Sequence, residues 1–80
     1  MNKEIGSKFQ TLRMRQGLTQ AEVAKEMKWS TVQFVSNIER GLAMPPKGKI
    51  KKFARLYKVN PEDIGQLFVD LYQSKLNKYI

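Results

Sequence analysis

The sequence has no cysteine and no histidine. Without cysteine no disulfide can form, so packing alone must hold the fold. With neither residue a structural zinc site is not expected, because zinc takes nitrogen and sulfur ligands. The commonest nucleophile and the commonest general base are missing as well, and no cofactor-binding signature replaces them. Acids are scarce: 7 Asp and Glu stand against 15 Lys and Arg, a net charge of +8. Apolar runs never exceed three residues, too short to span a bilayer, and the N-terminal stretch lacks the apolar core of an export signal. A cytoplasmic protein away from membranes is the expectation. At 80 residues the chain has room for one core, so residues 1–80 are expected to form one domain. The charge favours a polyanionic partner, nucleic acid before an anionic membrane surface.

The helical period dominates what is present, and strand alternation is nearly absent. Ile5, Phe9 and Leu12 share one face of a first helix. Gly17 is its natural left-handed stop. Thr19 and Glu22 have capping-box spacing and start a second helix, with Val23, Ala24 and Met27 inward. After a turn through Lys28 and Trp29, Ser30 or Thr31 is expected to cap a third helix that Gly41 closes. The Pro45-Pro46 pair breaks the chain, and a fourth helix is predicted from about Gly48 to Tyr57. Its apolar stripe is Ile50, Phe53, Ala54 and Tyr57. Asn60-Pro61-Glu62-Asp63 combines a cap, proline at the first helical position and acids on the positive dipole end. A fifth helix follows, running almost to the C-terminus. The predicted class is all-α, a compact five-helix domain.

The second and third helices carry the functional signal. Two crossing helices need a small residue at their closest approach, and Ala24 supplies it. A tight turn of the usual length would put Phe34 and Asn37 on the inner face, burying an amide. One extra turn residue moves the inner pair to Val35 and Ile38. Gln33, Ser36, Asn37 and Arg40 then form an outer, hydrogen-bonding face. That is the pattern of a helix-turn-helix, whose second helix enters the DNA major groove.

Leu18-Thr-Gln-Ala-Glu-Val-Ala24 followed by Phe34-Val-Ser-Asn-Ile-Glu-Arg-Gly41 resembles the Cro/C1-type (XRE-family) helix-turn-helix of phage and bacterial repressors, over roughly Ile5 to Leu67. Lys28 stands where many members have glycine. The resemblance implies a lambda-repressor-like fold and a sequence-specific DNA-binding regulator, a repressor on a pseudo-palindromic operator. It implies base reading by Gln33 and Asn37, with Val32 and Ser36 in reach of the groove. Either amide can bond adenine in a bidentate way, and Val32 can meet a thymine methyl. It implies backbone contacts from Gln20, Thr31, Arg40, Lys47 and Lys49, Gln20 lying at a helix start that favours anions. Arg13 and Glu39 match a partly buried ion pair of structural role.

Of the basic run after Pro46, Lys51 is grouped with Lys47 and Lys49 toward the DNA side, and Lys52, Arg55 and Lys58 are read as solvent-facing charge acting at long range. Trp29 is read as a core cover and Tyr57 as core. The acids form no catalytic constellation, so an enzyme is not expected. Apolar residues continue past Ile64 and Leu67. Phe68, Leu71, Tyr72, Leu76 and Tyr79 either fold back on the first helix or form a symmetric dimer contact. The dimer is the preferred expectation, since two half-sites require two copies. The extension over about residues 68–80 would then serve dimerisation. Small domains of this family also act as antitoxins, so the same stripe is alternatively a surface for a toxin protein.

Overall fold

The computed structural model describes residues 3–76. Among these residues the regular structure is helical: α1 (Lys3–Arg15), α2 (Gln20–Glu26), α3 (Gln33–Glu39), a 3-10 turn at Lys47–Lys49, α4 (Ile50–Tyr57) and α5 (Pro61–Leu76). The class is all-α, as the helical period predicts.

The first four helices end by the same device. A residue of positive φ follows each one: Gly17 at 67°, Lys28 at 61°, Gly41 at 74° and Lys58 at 54°. The next residue turns its amide back to a carbonyl in the last helical turn. Leu18 N donates to Arg13 O, Trp29 N to Ala24 O, Leu42 N to Asn37 O and Val59 N to Ala54 O, at 2.8–3.3 Å. This bonding satisfies carbonyls that the helix itself leaves unpaired. Glycine takes the left-handed conformation freely, whereas lysine is strained there.

Helix starts differ more. At α2, Glu22 N donates to Thr19 Oγ1 at 3.0 Å and Thr19 N donates to Glu22 Oε1 at 2.9 Å, a complete capping box. At α3 the expected Ser30 or Thr31 cap is corrected: Val32 occupies the cap position and offers no side-chain acceptor. Thr31 Oγ1 still accepts from Gln33 N at 3.2 Å, from one residue further out. The predicted start of the fourth helix near Gly48 is also corrected. The chain leaves Pro46 as a 3-10 turn and becomes α-helical only at Ile50.

One core joins the helices. Ile5, Phe9, Val23, Met27, Val35, Ile38, Phe53, Tyr57 and Ile64 are buried together. The Phe53 ring lies near its centre, 5.8 Å from Phe9, 5.5 Å from Tyr57 and 6.3 Å from Trp29. Leu12 is half-buried and packs against this core from the same face of α1, which also buries Gly6 and Arg13 beside Ile5 and Phe9. Gly6 is buried because the end of α3 crosses α1 there. A Cβ at this position would lie 2.5 Å from Glu39 O and 2.6 Å from Gly41 N.

Candidate nucleic-acid interface

The α2–α3 unit is held from beneath. Val23, Ala24, Met27, Val35 and Ile38 are all buried, so the turn of extra length does put Val35 and Ile38 inward. Lys28, left-handed, makes the reversal between the helices. Trp29 lies half-buried above it, its ring 4.6 Å from Phe34. Trp29 packs against the core, while Phe34, on the first turn of α3, is exposed.

With Val35 and Ile38 inward, the helical period turns Gln33, Ser36, Asn37 and Arg40 outward. Gln33 and Arg40 are exposed, while Ser36 and Asn37 are half-buried. Val32 and Thr31 are exposed just before the helix. Six of the expected DNA-facing residues therefore share one short segment. Gln33 and Asn37 do more than share a face: Gln33 Nε2 donates to Asn37 Oδ1 at 2.9 Å. That bond follows from i, i+4 spacing on a helix.

The other expected contacts lie on flanking elements. Gln20, half-buried, opens α2. Its Nε2 donates to Glu39 Oε1 at 3.0 Å, so one amide hydrogen is committed within the protein. Lys47 is exposed in the 3-10 turn and Lys49 half-buried at its end. Lys47 also edges a groove of about 330 Å³ with Phe68, Val69, Tyr72 and Gln73 of α5.

Arg13 and Glu39 are the charged centre of the arrangement. Arg13 Nε donates to Glu39 Oε2 at 2.7 Å and Nη2 to Oε1 at 3.1 Å, the two-point fork of guanidinium on carboxylate. Arg13 Nη1 reaches Leu18 O at 2.7 Å. Burial of the pair is compensated because these bonds are charge-assisted and mutually oriented. The bond to Glu39 raises the Arg13 pKa above its ordinary value, against a smaller opposing effect of burial. Burial likewise pushes the Tyr57 phenol well above its usual range. At the start of α2 the hydrogen bond from the Thr19 backbone holds the Glu22 carboxyl below the usual carboxylate range. Arg13, Leu18, Gln20 and Glu39 thus fasten α1, the start of α2 and the end of α3 to each other.

Of the expected C-terminal stripe, Phe68 is half-buried and Tyr72 exposed. The side chains of Leu71, Leu76 and Tyr79 lie outside the described residues. Tyr72 borders the groove beside Lys47, while Leu67 and Leu12 line a separate cleft between α1 and α5. Among the described residues no helix is long and apolar enough to cross a membrane. No group of three or more carboxylates is gathered there as a metal-ion site.

A short helix laid across a supporting one, with amides outward and aliphatic residues inward, defines a helix-turn-helix DNA-binding domain. The helix-turn-helix family model matches residues 9–64. The chain belongs to the Cro/C1-type (XRE) helix-turn-helix family and is a DNA-binding transcriptional regulator of that type. No curated protein and no solved structure matches it. Sequence reasoning missed Gly6, which lets α3 lie close on α1, and, away from the site, the left-handed conformation of Lys58 at the end of α4. Gly6 left no signal, because its need for a missing side chain is set by a partner 33 residues away. Lys58 gave none because lysine is not a customary left-handed stop.

Proposed function

We propose that the protein is a sequence-specific repressor that binds a pseudo-palindromic operator as a homodimer, with α3 of each copy in the major groove. The observation that carries this reading is the outward row Gln33, Ser36, Asn37 and Arg40 over a buried Val35–Ile38 base. Val32 lies beside that row and adds an apolar contact for a thymine methyl. Gln20, Thr31, Lys47 and Lys49 contact the backbone on either side and set the register. Residues 1–80 act as a single domain in the cytoplasm. Dimerisation uses the outer face of α5, where Val69 is 46% and Tyr72 52% exposed. Large apolar side chains so exposed favour a protein contact.

Selection of bound duplexes from a random pool tests the reading. The expected product is a symmetric site with half-sites about 10 base pairs apart. Absence of any enriched sequence at moderate salt overturns it. The exposed α5 face also favours a second reading, an antitoxin that holds a toxin protein there and represses its own operon. Sedimentation separates the two: a stable monomer removes the dimer and leaves this face to a different protein.

A further inference from the structure

We propose that Gln33 positions Asn37, so that the two amides read a single base pair as one unit and not two neighbouring pairs independently. The inference rests on α3 entering the major groove, as proposed above. Its starting point is the Gln33 Nε2 to Asn37 Oδ1 hydrogen bond of 2.9 Å. The Asn37 backbone is firmly fixed, while its side-chain amide takes its bond from Gln33. Asn37 is half-buried, and its backbone carbonyl accepts from both Leu42 N at 2.8 Å and Ala43 N at 3.3 Å. Gln33 is exposed, lies at the start of the helix, and has one more side-chain torsion to settle.

The count of donors and acceptors supports this division. One lone pair of Asn37 Oδ1 is taken by Gln33, leaving the second lone pair and both Nδ2 hydrogens. Those suffice for an adenine, whose N6 donates and whose N7 accepts. With Gln33 donating, the Asn37 oxygen is turned toward it and the Nδ2 group away from it. Gln33 is the side chain that gives up freedom. With Nε2 fixed on its neighbour, its amide plane cannot turn to lie flat against a different base pair. Holding the reader in place before DNA arrives reduces the ordering cost at binding.

The test combines a measurement on the free protein with one on DNA. In the free protein, Q33A is expected to lower the NMR order parameter of the Asn37 side-chain amide without shifting the unfolding midpoint. On duplexes carrying each single-base change in the selected site, N37A is expected to reduce discrimination at one base pair by on the order of 10-fold. Q33A should reduce discrimination at that same pair, and Q33E should do likewise because a carboxylate cannot donate to Oδ1. The double variant should be no worse there than N37A. An unchanged Asn37 order parameter in Q33A overturns the proposal. So does a Q33A effect confined to a neighbouring base pair, which makes Gln33 a separate reader while leaving the DNA-binding function intact. A wild-type chain that enriches no sequence overturns the functional reading and this inference together.

Discussion

Gly6 on α1 lies directly beneath Glu39 on α3, so close that a single methyl group at position 6 would meet the Glu39 carbonyl oxygen at 2.5 Å. Gly6→Ala therefore drives the two helices apart at their crossing. Overpacking costs about 1–3 kcal/mol, against about 1 kcal/mol gained by alanine over glycine in a helix. The obstructing atoms are backbone and cannot rotate away, so the net loss is expected at the upper end of that difference, up to about 2 kcal/mol. Urea unfolding of the variant measures it. An equal or higher midpoint would show that the crossing can open without cost.

Glu39→Ala leaves the Arg13 guanidinium buried without its carboxylate and removes the acceptor of Gln20 as well. Breaking a buried pair from one side costs about 3 kcal/mol or more. Replacing both ends, as in Arg13→Met with Glu39→Leu, should recover most of that loss. A thermal-unfolding cycle over the single and double variants decides the matter, and additivity of the two single losses would contradict the coupling.

The Thr19–Glu22 capping box gives α2 a pH dependence of known sign. Glu22 titrates lower in the folded chain than in the unfolded one, because the Thr19 amide stabilises its charged form. Its contribution is therefore fully present above the ordinary carboxylate range and fades as pH falls through the lowered value. Thr19→Ala removes the cap oxygen and should cost about 1 kcal/mol near neutrality. Glu22→Gln should narrow the loss of stability between neutral pH and pH 3, followed by circular dichroism. An identical acid profile in wild type and variant would rule this out.

Lys28→Gly should stabilise the protein. The wild-type residue has a φ of 61°, which costs a side chain about 1–2 kcal/mol. Glycine gives back up to about 1 kcal/mol through greater unfolded-state freedom, so the net gain should be about 0.5–1 kcal/mol. Calorimetry reads it as a raised melting temperature, and a lowered one contradicts the strain argument.

Lys47→Ala should weaken binding to every duplex alike. Loss of one phosphate contact lowers the slope of log affinity against log salt by about 0.9 in magnitude. Fluorescence anisotropy over a salt series separates this from the base-specific effects expected at Asn37.

Much of this was legible in the sequence, for physical reasons. Apolar spacing placed Val23, Val35, Ile38, Phe53 and Tyr57 inside, since burial and helical period constrain the same residues. Thr19 with Glu22 declared a helix start because a cap is written in neighbouring residues. The N-terminal boundaries of α3 and α4 were harder. Val32 does no capping, and the 3-10 turn after Pro46 has the composition of a helix. The Gln20–Glu39 and Gln33–Asn37 bonds were not visible, because polar side chains choose partners only after the backbone is fixed. The α1 face shows a related limit. Periodicity counts apolar residues, but the buried end of the α1 face is Arg13, made tolerable by a carboxylate 26 residues distant.

The matching left-handed stops have an electrostatic consequence. At two of the four, the chain keeps a cation where glycine would relax the backbone. A variant with glycine at both positions 28 and 58 would carry less backbone strain in the folded state, yet its net charge would drop from +8 to +6. Long-range attraction to a polyanion scales with that charge, and so does the speed of encounter. Backbone strain at Lys28 and Lys58 thus sets folding stability against the rate of finding DNA, and selection for heat resistance alone should yield a sturdier protein that searches more slowly.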